Sequence, residues 1–368
     1  MGFLSWIKGD KPAAAPARPV EEPLPDEGDD LSVFARAIES RNGAARVDAS
    51  RGLLERWRNG DAQAAELMVG KLDALLEDGE PMVKQAALAG VRLLRKPENL
   101  EKHASAVLGL LADRAAPVRT AAVWAAIKLP GDTARTQVRA LLQSTDEPLR
   151  FDAATALAEV KDAAALGGLT AALNQGYRRQ EALSALMSLG DAAALPALAE
   201  LWDQGDEAEQ TGDFDRTLLA AALARFGDQR GKRHLALRAA EGGDDRPVAV
   251  EWAGRLGVSE AIPALDALAD EEGELSRGAA LRALGRLKAP GAEERLLAVV
   301  NDAELADDLR MDAAEGLAEL GTAPALAALS TLAALKDAVA EVCQGLLGEL
   351  AALEAQQAAA APETPVAD

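Results

Sequence analysis

The chain has 368 residues, with 60 acidic against 39 basic side chains, a formal charge of −21 and a pI near 4.6. A field of that sign repels phosphate backbones and anionic bilayers, which excludes nucleic acid as the main partner. Aromatics are only 3% of the chain and Ala and Leu dominate, so few β-branched runs exist from which to build strands and the composition predicts an all-α fold. The single cysteine, Cys343, excludes an internal disulfide and a cysteine-rich zinc site, and suits a reducing cytoplasm.

Residues 1–11, MGFLSWIKGDK, form a short amphipathic segment with Phe3, Leu4, Trp6 and Ile7 as its apolar group and Lys8 and Lys11 beside them. The apolar run is too short for a signal peptide, and Trp at position 6 breaks the myristoylation pattern. Such a segment docks in a groove on a protein or touches a membrane surface weakly. Stable membrane insertion is not expected, because no stretch approaches the roughly 20 uncharged apolar residues of a span. Residues 12–30 carry five prolines and end in an acidic cluster, Glu21, Glu22, Asp26, Glu27, Asp29 and Asp30, which reads as a disordered linker. Residues 31–357 read as one continuous helical array, and residues 358–368 as a disordered tail.

Within the array a basic residue recurs eight times, at Lys84, Arg119, Arg150, Arg179, Arg216, Arg246, Arg277 and Arg310, with spacings of 29 to 37 residues. Self-similarity at that period marks stacked repeats, each a helical hairpin. The second helix of each repeat aligns on a last core residue: Leu94, Leu129, Val160, Leu189, Phe226, Leu256, Leu287 and Leu320. Seven positions earlier stand Ala87, Ala122, Ala153, Ala182, Leu219, Ala249, Ala280 and Ala313; four earlier stand Gly90, Ala125, Ala156, Ala185, Ala222, Trp252, Ala283 and Gly316. At 100° per residue these rows lie within about 60° of one another, so small side chains are expected to line the buried stripe. Trp252 breaks that rule and requires a local splay or an indole at the edge. A shorter first helix precedes each second one. Residues 31–59 form a divergent helical pair and residues 336–357 a final long helix, both reading as caps.

The unit LLADRAAPVRTAAVWAAIKL and its cousins LRFDAATALAEV and LRMDAAEGLAELGTAPAL resemble the HEAT repeat, in the bacterial form also found in phycobilin lyase subunits. The resemblance covers residues 61–335 and implies a right-handed α-solenoid of about nine hairpins with divergent end caps. It also implies a curved superhelix that binds other macromolecules, and a ladder in which an Asp ending the first helix meets the basic residue opening the second. Asp78, Asp113, Asp203, Asp270 and Asp302 match that Asp position, while Ser144, Gln175 and Gly242 stand near it in three repeats.

A cation at a helix start opposes the macrodipole, so the recurrent basic residue should have a structural partner, an Asp or a carbonyl of the adjacent turn. Binding information is expected on two rows read as outward: Ala89, Trp124, Thr155, Ser184, Ala221, Glu251, Arg282 and Glu315; and Leu93, Lys128, Glu159, Ser188, Arg225, Arg255, Arg286 and Glu319. Arg225, Arg255 and Arg286 fall in register on consecutive repeats, with Arg282 one turn from Arg286. They either complement the dipole at the helix end or bind an acidic peptide, for which residues 21–30 are the nearest candidate. Trp124, with Lys128 and Phe151 on neighbouring rows, is either an exposed contact or a filler of gaps between Ala-rich repeats.

Catalytic signals are scarce. His103 and His234 are the only histidines, neither is followed by Glu, and no HExxH motif, phosphate-binding glycine loop or nucleophile with a spaced His occurs. His234 is expected at an exposed helix start. No metal or cofactor is predicted. The expected function is a non-enzymatic cytoplasmic scaffold or adaptor with the N-terminal peptide as an auxiliary docking element; the alternatives are a phycobilin-lyase-like enzyme or subunit, and a membrane-associated organiser working through Phe3, Trp6 and Ile7.

Overall fold

A computed structural model describes residues 31–205, 213–271 and 276–360. The N-terminal segment, the Pro-rich acidic linker and the last residues of the tail lie outside them. Among the described residues there are twenty α-helices and no strand.

The chain divides into two compact units, residues 1–125 and 126–368. The first holds α1 (Leu31–Ile38), α2 (Gly43–Arg58), α3 (Ala62–Leu76), α4 (Pro81–Leu93), α5 (Pro97–Gly109) and nearly all of α6 (Ala116–Ala126). The second holds seven further helical pairs: α7 (Asp132–Ala140) with α8 (Glu147–Glu159), α9 (Ala165–Asn174) with α10 (Arg179–Leu189), α11 (Leu195–Asp203) with α12 (Asp213–Arg225), α13 (Gln229–Glu241) with α14 (Arg246–Arg255), α15 (Ile262–Asp270) with α16 (Arg277–Arg286), α17 (Ala292–Asn301) with α18 (Asp307–Leu320), and α19 (Ala323–Leu332) with α20 (Ala338–Ala360). Second helices pack on their own first helices and on the next second helix, as α2 does on α1 and α4 in the first unit, and as α8, α10, α12, α14, α16 and α18 do in the second. The final helix runs to Ala360, through the start of the segment expected as tail.

Local sequence sets the helix ends. The Asp61 carboxylate accepts from the Gln63 and Ala64 backbone N–H at 3.0 Å each, meeting donors that the helix itself leaves unpaired. Pro81, Pro117, Pro148, Pro196, Pro263 and Pro324 each sit in a first turn, where a missing N–H costs nothing. Gly190 and Gly321 close their helices at φ 73° and 68°, a left-handed conformation that other residues resist.

The small-residue stripe is buried as expected: Ala87, Ala122, Ala153, Ala182, Ala249, Ala280 and Ala313 are all fully inaccessible. The bulk of the core comes from two adjacent rows, which include Leu88, Val123, Leu183, Leu281, Val91, Leu157, Leu186, Leu284 and Leu317, also fully inaccessible. Each such aliphatic side chain contributes about 1.5–3 kcal/mol by leaving water. Val160, Phe226, Leu256 and Leu287, expected as last core residues, are only half-buried because the helix frays there into its cap. Trp252 is half-buried at the edge, its ring 5.7 Å from the Arg255 guanidinium.

Small residues matter most where second helices cross. A Cβ on Gly254 would stand 2.7 Å from the Ala283 Cβ, and one on Gly285 would stand 2.2 Å from the Gly316 carbonyl oxygen. The backbones of α14, α16 and α18 therefore touch, at the close end of helix packing.

In four of the eight repeats the recurrent cation acts as a clasp on the preceding turn. Arg119 donates to the Asp113 carbonyl at 3.0 Å, Arg150 to Ser144 at 2.8 Å, Arg277 to Ala269 at 2.9 Å and the buried Arg310 to Val300 at 3.2 Å. These bonds satisfy carbonyls that the first helix leaves open and outweigh the unfavourable dipole. Lys84 reaches the Asp113 carboxylate at 2.7 Å, and Arg216 lies over the Trp202 ring at 4.2 Å. Arg179 and Arg246 fold back over Gly176 and Gly242 respectively. Asp113 keeps a rung of the ladder through Lys84, whereas three Asp positions depart from it: Asp78 pairs with Arg46 at 2.6 Å, and Asp203 and Asp270 pair with Arg230 and Arg295 on the following first helices. The offset between neighbouring hairpins decides which cation each carboxylate meets.

Candidate partner-binding surface

The register of α14, α16 and α18 brings Arg255, Arg282 and Arg286 around one carboxylate, Glu251. Arg255 Nε lies 2.6 Å and Arg286 Nη1 2.7 Å from its Oε1, and Arg282 Nη2 lies 3.8 Å from its Oε2. Glu251 is only 8% exposed, against its expected place on an outward row, and Ala221 in the same row is fully buried. Neighbouring second helices lean over that row, so it lines their seam rather than the surface.

Carboxylates of the next repeat complete the network. Arg286 Nε meets Glu319 at 2.9 Å, Arg282 Nε meets Glu315 at 3.5 Å, and Arg282 also pairs with Asp312. Burial disfavours the charged Glu251, but Arg286 and Arg255 overcome it and hold its carboxyl below the usual range. Burial likewise works against the Arg286 cation, which Glu319 and Glu251 more than offset, so its pKa is raised. Three guanidiniums against four carboxylates leave this ledge with one more negative than positive group, so it is not a basic stripe. Arg255 is its exposed guanidinium; Arg225 is exposed too but stands outside the network, with its Nη2 beside Gly190 at the end of α10.

The other predicted residues are separated by the fold. Trp124 is half-buried beneath Arg92 of α4, whose guanidinium lies 5.5 Å from the ring centre. Lys128 is exposed and pairs with Glu159 at 2.9 Å. Phe151 is not an outward contact: it is 4% exposed, with Tyr177 edge-on at 5.5 Å and the Arg178 guanidinium 4.8 Å from its ring centre. The turn before α10 folds over it, which the sequence of α8 alone does not reveal. Phe3, Leu4, Trp6 and Ile7 lie outside the described residues.

Sequence reasoning missed Glu251 as the hub. A usable signal existed, since Glu251 and Arg255 are four apart on a helix and Arg286 follows 35 residues after Glu251, close to one repeat. The histidines sit apart in separate hairpins. His103 is 1% exposed with Nδ1 2.6 Å from Asp73. His234 is half-buried rather than exposed, edge-on to Trp202 at 5.3 Å and 3.4 Å from the Thr217 hydroxyl. Among the described residues no cluster of three metal-ligating side chains occurs, and no helix is long and apolar enough to cross a membrane.

No family model matches the chain, and no curated protein matches it. Solved structures do. An engineered protein is similar over 86% of this chain and 98% of that one, at 18% identity and a TM-score of 0.37. The complex of CpcE and CpcF of phycocyanin lyase from Nostoc sp. is similar over 75% of this chain and 91% of that one, at 22% identity and a TM-score of 0.34. The Kap95:Nup1 complex is similar over 86% of this chain and 49% of that one, at 13% identity and a TM-score of 0.49. These are likenesses of fold. The class defined by the hairpin pairs, their small-residue seam and the recurrent cationic clasp is an all-α stacked-repeat protein with HEAT-like hairpins.

Proposed function

We propose that this protein is a non-enzymatic scaffold that binds a protein partner on the ledge formed by α12, α14, α16 and α18. The supporting observation is the network around Glu251, which holds three guanidiniums in set positions and so lowers the ordering cost of a polar contact made by Arg255, with the exposed Arg225 on the neighbouring second helix. A partner carboxylate must compete with Glu251, Glu315 and Glu319, which favours an acidic side chain approaching from the exposed Arg225 and Arg255 end. The acidic linker, residues 21–30, would be such a competitor. Trp124 and Lys128 offer further contacts, and residues 1–11 an auxiliary docking element.

The test compares pull-downs by full-length protein, by the Arg225→Glu, Arg255→Glu double variant and by a variant lacking residues 1–30, read by mass spectrometry and titrated in salt. Charge reversal should abolish specific capture, and removal of the acidic linker should strengthen it. Equal capture by all three would sink the reading. A phycobilin-lyase-like role predicts instead a bilin absorbance change on titration.

A further inference from the structure

The C-terminal helix α20 is only half used. It packs on α18 and α19 through Val339, Ala340 and Cys343, all at most 1% exposed, but from Gln344 to Gln356 none of its residues is buried. Leu346, Leu350 and Leu353 fall at i, i+4 and i+7 on one face, and Leu353 is 52% exposed. With Val342 and Ala318 they floor a groove of about 450 Å³ between α18 and α20. Its rim is acidic: Glu315 and Glu319 on one side, Glu349 on the other. Glu315 and Glu319 are already engaged by Arg282 and Arg286, whereas Glu349 is exposed.

An apolar groove with an acidic rim suits an amphipathic segment with an apolar stripe and flanking cations. A second α20 fits poorly, because Glu349 and Glu354 flanking the leucine row would face their own copies. An anionic bilayer is repelled by the same carboxylates. The chain itself carries a matching segment: residues 1–11 hold Phe3, Leu4, Trp6 and Ile7 with Lys8 and Lys11, and Asp10 is their only acid, so they are net basic in a protein of charge −21.

We propose that the groove between α18 and α20 is the receptor for residues 1–11 of this protein, with Phe3, Trp6 and Ile7 on Leu346, Leu350 and Leu353 and the cations at Glu349 and Glu315. This contact joins residues 1–11 to the body of their own chain without any external partner, and its rim shares Glu315 and Glu319 with the ledge proposed above.

The experiment places a photo-crosslinking benzoylphenylalanine at position 6 of the full chain (Trp6→benzoylphenylalanine) and maps crosslinks by mass spectrometry. Crosslinks should fall between residues 315 and 353. Leu350→Glu and, separately, Glu349→Lys should reduce their yield; for Leu350→Glu the loss is at least about tenfold, the factor supplied by burying one leucine. Neither residue is buried, so circular dichroism should confirm an unchanged fold. In a mixture of light and heavy-isotope chains, unmixed crosslinks assign the segment to its own chain as proposed, and predominantly mixed ones, which assign it to a second copy, would overturn the proposal. Crosslinks elsewhere, no crosslinks, or a yield indifferent to both substitutions would overturn the proposal. So would a dimer that persists by analytical ultracentrifugation after removal of residues 1–11, which would give the groove to a second copy of α20.

Discussion

Glycine to alanine at two helical positions should change stability in opposite directions. In a helix interior alanine is favoured over glycine by about 0.5–1 kcal/mol, because glycine loses more backbone freedom on folding. At Gly70, on the exposed side of α3, an added Cβ meets nothing within 4 Å, so Gly70→Ala should gain that amount. At Gly285 the same Cβ would lie 2.2 Å from the Gly316 carbonyl oxygen, 2.7 Å from its carbon and 2.8 Å from its Cα. All three obstacles are backbone of a packed helix, so α16 and α18 must move apart as rigid bodies. Overpacking of that kind costs about 1–3 kcal/mol, and the rigid obstacle argues for the upper end. Less the propensity gain, Gly285→Ala should lose about 2 kcal/mol, roughly a thirty-fold change in the folding equilibrium. Urea unfolding followed by far-ultraviolet circular dichroism reads both variants against the parent. A Gly285→Ala protein as stable as the parent would refute the claim that these backbones are in contact.

Glu251→Ala should cost about 2–3 kcal/mol, below the 3–5 typical of a broken buried pair, because Arg286 and Arg282 keep Glu319 and Asp312; an unchanged urea midpoint would refute its role as hub. Since Glu251 titrates below its ordinary value when folded, its stabilisation is present above the unfolded glutamate pKa of about 4.3 and is lost as pH falls through the folded value. The gap between parent and Glu251→Ala midpoints should therefore narrow on acidification below about pH 4, whereas a gap that widens contradicts the assigned sign. Cys343 is fully inaccessible and burial, with Asp337 nearby, raises its thiol pKa, so iodoacetamide should label it only after unfolding. Rapid labelling of the native protein would place α20 away from α19.

The hairpins could be read from sequence because their determinants are local or strictly periodic. Proline in first turns, glycine at helix ends and small residues four and seven before the last core position act within one helix, and repetition made the pattern visible despite Trp252. The structural role of the recurrent cation could also be anticipated, since a charge held against the dipole needs an acceptor. Of the two acceptors expected, Arg119, Arg150, Arg277 and Arg310 take a carbonyl and Lys84 a carboxylate, a distinction of a few ångströms that no spacing encodes.

By itself the sequence determined the helical class, the repeat register, the buried alanine stripe and the acidic charge. Only tertiary structure decided which charges meet. Rotating or sliding one second helix by a fraction of a turn would separate Glu251 from Arg286, 35 residues away, and the close crossing of Gly254 on Ala283 holds their two helices in that offset. The same packing buried Phe151 beneath Tyr177 and left Leu346, Leu350 and Leu353 in an open groove. A side chain's period along its own helix says which way it points, and the neighbouring helix decides whether anything stands there.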